Sequence, residues 1–105
     1  MTTADVEVRS HGNTVEILLT GEIDLSNSDV VKEKVFASID NHLLAVTIDL
    51  AGLSYIDSAG LRILFALAER LRLLQTTCTV IAPPGTPTRR VLEMSGMAAV
   101  AQVEP

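Results

Sequence analysis

Aromatic residues are almost missing from this chain. It has one Tyr, two Phe and no Trp in 105 residues. Its core must therefore be aliphatic, and the scarcity argues against a stacking platform for single-stranded nucleic acid. Cysteine is nearly absent too. Cys78 stands alone, so there is no intrachain disulfide and no thiolate cluster for zinc or iron-sulfur. Positive charge is scarce, with 8 bases against 13 acids and a net charge of -5. A phosphate-backbone binder is expected to be basic, so no nucleic acid is expected as a partner. No apolar run approaches the ~20 residues of a membrane-spanning helix, so no membrane insertion is expected. The polar, acidic Met1–Ser10 stretch is unlike a signal peptide. A cytoplasmic location is the corresponding expectation.

Hydrophobic residues make up 48% and charged residues 20%, enough for a packed core. The length suits one domain, residues 1–105. Val6 and Val8 alternate in a strand over 4–10, His11-Gly12-Asn13 reads as a tight turn, and Val15, Ile17, Leu18 and Leu19 give a more buried partner strand over 14–20. Gly21-Glu22-Ile23-Asp24 then leads out of the sheet. Ser26 suits a helix N-cap, with Val31, Val35 and Ile39 as the apolar stripe. Residues 43–50 are near-continuously apolar, which suits an interior parallel strand covered on both faces. A loop over Ala51–Ile56 precedes a second helix starting at Asp57 or Ser58, striped by Leu61, Leu64, Phe65, Ala68 and Leu71.

Residues 77–82 form another buried strand, in which Cys78 is expected to be a buried, weakly reactive thiol. Thr86-Pro87 is an N-cap followed by Pro at the first helical position, and Gly96 closes that helix. The tail 97–103 reads as a short helix, a last strand, or both in turn. The fold class is α/β: a mixed, mostly parallel sheet, an antiparallel N-terminal edge strand and packed helices.

Enzyme readings fail on missing parts. Ile56-Asp57-Ser58-Ala59-Gly60 lacks the first glycine of a nucleophile elbow. His11 and His42, the only imidazoles, fall in a turn and after a helix. No Gly-Lys pair supplies a Walker loop and no G-x-G-x-x-G occurs. No ligand spacing suggests a metal, and no cofactor is expected. Asp24 and Asp57 follow strands, where α/β sites gather. They serve either as caps and loop residues or as a receiver-like acidic pocket, but the only lysines, Lys32 and Lys34, lie on the first helix. Ser58 is either an N-cap or a phosphorylation site, since a helix N-terminus favours added phosphate.

The block Val46–Leu64, with Leu53-Ser54-Tyr55-Ile56-Asp57-Ser58-Ala59-Gly60-Leu61 at its centre, resembles the STAS family, specifically bacterial anti-sigma factor antagonists. Gly21-Glu22-Ile23-Asp24 and Ser95-Gly96-Met97 are similar to two further family elements. The resemblance implies a single STAS-like domain that is not an enzyme. It implies binding to an anti-sigma factor that is also a serine kinase, freeing a sigma factor in a stress response. Phosphorylation of the serine matching Ser58 ends binding, and a serine phosphatase restores it. It assigns Asp24, Ser26, Asn27, Asp57, Ala59, Gly60, Leu61 and Arg62 to the partner-binding face. Small Ala59 and Gly60 are expected to let a partner's active site approach the hydroxyl. Relatives that serve as scaffolds or accompany membrane transporters give the alternative reading. Many relatives carry glycine in the turn after the second helix, whereas Leu74-Gln75-Thr76-Thr77 fills it here.

Overall fold

A computed structural model describes residues 2–105. The hairpin opens the chain: β1 (Ala4–His11) pairs antiparallel with β2 (Thr14–Ile23). Then follow α1 (Ser28–Ala37), β3 (Ala45–Asp49), β4 (Leu53–Ile56), α2 (Ser58–Leu73), β5 (Thr77–Ile81), α3 (Pro87–Ser95), a 3-10 turn at Met97–Ala99 and β6 (Gln102–Glu104). The sheet order is β1-β2-β3-β5-β6, and β4 also pairs with β2. Every pairing except the hairpin is parallel. The mixed sheet with its antiparallel edge strand is thus as expected, and the tail forms a short helical turn and then a strand.

Two expectations are corrected. β2 does not leave the sheet at Gly21. It runs on to Ile23, because Gly21, Glu22 and Ile23 pair with the unexpected strand β4. Gly21 makes this possible: its φ is 93°, and a Cβ there would lie 2.5 Å from the Thr3 carbonyl oxygen. That carbonyl accepts the Glu22 N–H at 2.9 Å. The second correction concerns coverage. β3 is buried on one face only: Val46 and Ile48 point into the core, while Ala45, Thr47 and Asp49 are half-buried on the other. β2 shows the same alternation, with Val15, Ile17 and Leu19 inside. The sheet therefore has a helix-covered face and an open one.

The covered face carries the aliphatic core. Ile17, Leu19, Ile23, Ile48, Leu67, Leu71, Leu92 and Met97 are essentially inaccessible. Burying such a side chain contributes about 1.5–3 kcal/mol. Cys78 is half-buried against this core, and burial pushes its thiol up to about 11, so little thiolate exists at neutral pH. α3 has the expected ends. Thr86 Oγ1 accepts the Arg89 N–H at 3.2 Å, and Gly96 is left-handed.

The turn after α2 explains the missing glycine. Gln75 takes up the left-handed conformation itself, at φ 59°. A Cβ makes that region unfavourable by about 1 kcal/mol or more, while glycine adds unfolded-state entropy of about 0.4–1 kcal/mol. Gln75→Gly is expected to raise stability slightly, by at most about 1 kcal/mol, in urea unfolding. A clear loss would show that the Gln75 side chain outweighs its backbone strain.

Candidate functional site

The site grows from the ends of two parallel strands. Ile23 of β2 lies beside Ile56 of β4, and the Asp57 N–H donates to the Ile23 carbonyl at 3.2 Å. The chain leaves β2 through Asp24–Asn27 into α1, and leaves β4 through Asp57 directly into α2. Both exits emerge at one sheet end, where loops of α/β proteins collect.

Asp24 organises the first exit. Its carboxylate accepts the Thr2 hydroxyl at 2.7 Å, the Ser26 N–H at 2.8 Å and the Ser26 hydroxyl. These bonds, Ser26 first and Thr2 second, hold the Asp24 carboxyl below its ordinary range. A depressed folded value means that the stabilisation is present at neutral pH. It is lost as pH falls through that value. Asn27 bridges the loop: its Oδ1 accepts the Asp24 N–H at 3.0 Å and its Nδ2 donates to Glu22 O at 2.9 Å. Ser26 is therefore not the N-cap of α1. The helix starts two residues later, with Asn27 in the cap position but making no side-chain cap bond. The Ser26 hydroxyl donates to Asp24 instead. Between them Leu25 stands 77% exposed at the loop tip.

The second exit settles the Ser58 alternatives as far as capping goes. Asp57 is the N-cap of α2, its Oδ1 accepting the Ala59 N–H at 2.8 Å and the Gly60 N–H at 3.2 Å. Aspartate caps well and its charge suits the helix dipole. Ser58 is the first helical residue and is exposed. Among the described residues its hydroxyl has no hydrogen-bond partner.

The residues named from the sequence divide by exposure. Ser26, Ser58 and Arg62 are exposed; Asp24, Asn27, Asp57 and Leu61 are half-buried; Ala59 and Gly60 are buried. The smallness of Gly60 serves internal packing. A Cβ there would collide with Ile56 Cγ1 and come within 3.1 Å of Ile23 Cγ2. Its hydrogen-only side lets α2 sit down on the ends of β2 and β4. Ala59 lines a shallow cavity of about 170 Å³ with Leu25, Ser28, Lys32, Arg62 and Ile63, which joins the two exits into one surface. Leu25 was not singled out from the sequence. Its signal is an apolar side chain between two loop-forming polar residues. Among the described residues no cluster of acids, His or Cys could hold a metal ion, and no helix is long and apolar enough to cross a membrane.

The STAS domain family profile matches residues 5–105, and the chain belongs to that family. The anti-sigma-F factor antagonist RsfB of Mycobacterium tuberculosis is 28% identical over 92 residues, covering 88% of this chain and 74% of RsfB. The crystal structure of an anti-sigma factor antagonist from Mycobacterium paratuberculosis superposes with a TM-score of 0.87 at 25% identity, over 98% of this chain and 86% of that one. SpoIIAA of Bacillus, an anti-sigma factor antagonist, shares the fold at 20% identity in its unphosphorylated form. The TM-score is 0.77, over 96% of this chain and 89% of that one. Its phosphorylated form superposes with a TM-score of 0.72, at 21% identity over 96% and 92%.

The division of labour at the start of α2 makes a direct prediction. Asp57→Ala is expected to cost about 1 kcal/mol, and Ser58→Ala less than about 0.5 kcal/mol, in chemical denaturation. The opposite order would return the cap to Ser58.

Proposed function

We propose that this protein is an anti-sigma factor antagonist, one domain over residues 1–105, acting in the cytoplasm. Unphosphorylated, it binds an anti-sigma factor that is a serine kinase and so releases a sigma factor. The kinase phosphorylates Ser58 and ends the complex, and a serine phosphatase reverses the step. The protein is the substrate of that chemistry, with no catalytic residue of its own. One observation carries the reading: the Ser58 hydroxyl is exposed at the first position of α2, with its capping duty taken by Asp57. The names of the relatives agree with it, and SpoIIAA is a protein of this fold solved in phosphorylated and unphosphorylated forms.

The binding face is built from the two exits. Asp24 and Asn27 hold the first loop rigid, presenting Leu25 and Ser26. Asp57, Ser58, Leu61 and Arg62 form the opposite side. Ala59 and Gly60 support it from below. Leu25, 77% exposed at the loop tip, is the apolar anchor of this face, an exposed side chain that a partner's pocket can bury.

Phosphorylation acts on charge rather than fold. It adds about -1.5 to -2 at pH 7. Asp57 already occupies the amides of Ala59 and Gly60, so the phosphate does not find them free and stands outward beside a carboxylate. Its burial in an interface then carries a desolvation cost with like-charge repulsion added.

Two measurements test the reading. Incubation with the cognate kinase and ATP, followed by peptide mapping, is expected to place phosphate on Ser58. Phosphate confined to another residue would defeat the switch and favour the scaffold reading. Leu25→Ser is expected to weaken kinase binding by about tenfold or more, about 1.4 kcal/mol, with melting temperature unchanged. Unaltered affinity would remove the first loop from the interface. Asp24→Asn serves as the companion variant. It keeps the shape of the loop's organiser and removes its charge, with weaker binding and little change in melting temperature expected.

A further inference from the structure

We propose that two copies of this chain pair through the free edge of β1, antiparallel and centred on Val8, to make one continuous sheet. β1 is the outer strand of the sheet, and its residues from Glu7 to His11 are all exposed. It has no proline and pairs with β2 without a bulge over Ala4–His11. An edge of this length, with unspent backbone groups, is a template for a further strand.

The backbone decides which residues face outward. His11 pairs with Thr14 across the two-residue loop Gly12-Asn13, and Gly12 at φ 62° suits the first central position of a type II′ turn. The pair flanking such a loop is hydrogen-bonded, and hydrogen-bonded pairs alternate along an antiparallel ladder. Asp5, Glu7 and Arg9 therefore spend their N–H and C=O groups on β2. Val6, Val8 and Ser10 turn theirs to the free edge.

Two-fold antiparallel pairing must set these outward residues against each other, which leaves few registers. With Val8 on the axis, Val8 faces Val8 and Val6 faces Ser10, giving about six backbone hydrogen bonds. The intervening pairs are Glu7 with Arg9 and Asp5 with His11. These are non-hydrogen-bonded pairs, where side chains approach most closely. A slide one way sets Glu7 against Glu7; a slide the other way sets Arg9 against Arg9. Of these three registers only the Val8-centred one sets no like charges against each other. Edge charges normally deter pairing; here their order along the strand makes them self-complementary.

The surroundings fit. Arg9 already collects acids on the open sheet face, with Glu7 at 2.6 Å and Glu16 at 3.7 Å, so a second Glu7 extends an existing network. On the helix-covered side Val8 is 40% and Val30 of α1 55% exposed, and Val30 shares a groove with Val6. Pairing brings the two Val8 side chains together and covers part of this apolar strip. Because the paired strands run in opposite directions, the two Ser58 faces lie at opposite ends of the joined sheet, and both stay open.

Sedimentation equilibrium over a concentration series tests the pairing. The wild-type mass is expected to rise towards twice that of the chain. Arg9→Glu and Glu7→Arg, each checked for folding by circular dichroism, are expected to weaken association at least about tenfold. An equimolar mixture of the two variants restores it, because each then meets its opposite charge. Slower amide exchange at Val6, Val8 and Ser10 in the dimer locates the contact. A wild-type chain that stays monomeric at its highest soluble concentration, or single variants that associate as tightly as wild type, would overturn the proposal.

Discussion

The hydrogen bond from the Asp57 N–H to the Ile23 carbonyl fastens the two chain exits together at one end of the sheet. It ties the last residue before α2 to the last residue of β2. Without it β4 would be a four-residue strand with no anchor at its end. With it, both chain exits are fixed at one edge of the sheet. Gly60 completes the junction by letting α2 approach Ile56 and Ile23 as closely as it does. The Asp57 side chain then satisfies the first amides of α2. One residue therefore joins strand, strand and helix, and its neighbour Ser58 is left with no structural task.

That freedom is the physical basis of the functional reading. A serine that capped its helix would have to give up a hydrogen bond when modified, and modification would then disturb the fold. An exposed hydroxyl next to a rigid cap can gain or lose phosphate while the core beneath, Ile23, Ile56 and Ile63, remains in place. The Asp24 loop is built on the same plan. Its carboxylate and Asn27 spend their hydrogen bonds internally, so that Leu25 is displayed without much freedom to lose on binding.

Much of this was legible in the sequence, and what was not has local causes. The hairpin, α2, α3 with its Thr86 and Gly96 ends, and the alternation of strands and helices follow from periodicity and capping residues. β4 was hidden because Leu53-Ser54-Tyr55-Ile56 buries its two ends and exposes its middle, a pattern that matches neither strand alternation nor a helical stripe. Its pairing partner, Gly21–Ile23, went unseen with it. β3 suggested coverage on both faces because residues 43–50 are near-continuously apolar, yet Ala45, Thr47 and Asp49 lie half-buried on the open face. The cap of α1 lies one residue beyond Ser26, and that of α2 falls on Asp57, one of the two starts that the sequence left open. At both helix starts an aspartate competes with a serine, and the aspartate takes the backbone amide: Asp24 that of Ser26, Asp57 that of Ala59. The Ser26 hydroxyl is thus not a cap, and of the two duties open to Ser58 capping falls to Asp57. The resemblance to the STAS family points to these two exits; the structure separates their exposed residues from those that support them.

In the proposed switch a single phosphate on Ser58 removes binding without altering the fold. The most direct measurement is titration calorimetry of the cognate anti-sigma kinase with the protein in its unphosphorylated and its Ser58-phosphorylated form, alongside the melting temperature of each. A loss of affinity of at least about a hundredfold, about 2.7 kcal/mol, is expected, with melting temperatures within a few degrees of each other. Equal affinity of the two forms, or a loss of affinity accompanied by unfolding of α2, would contradict it.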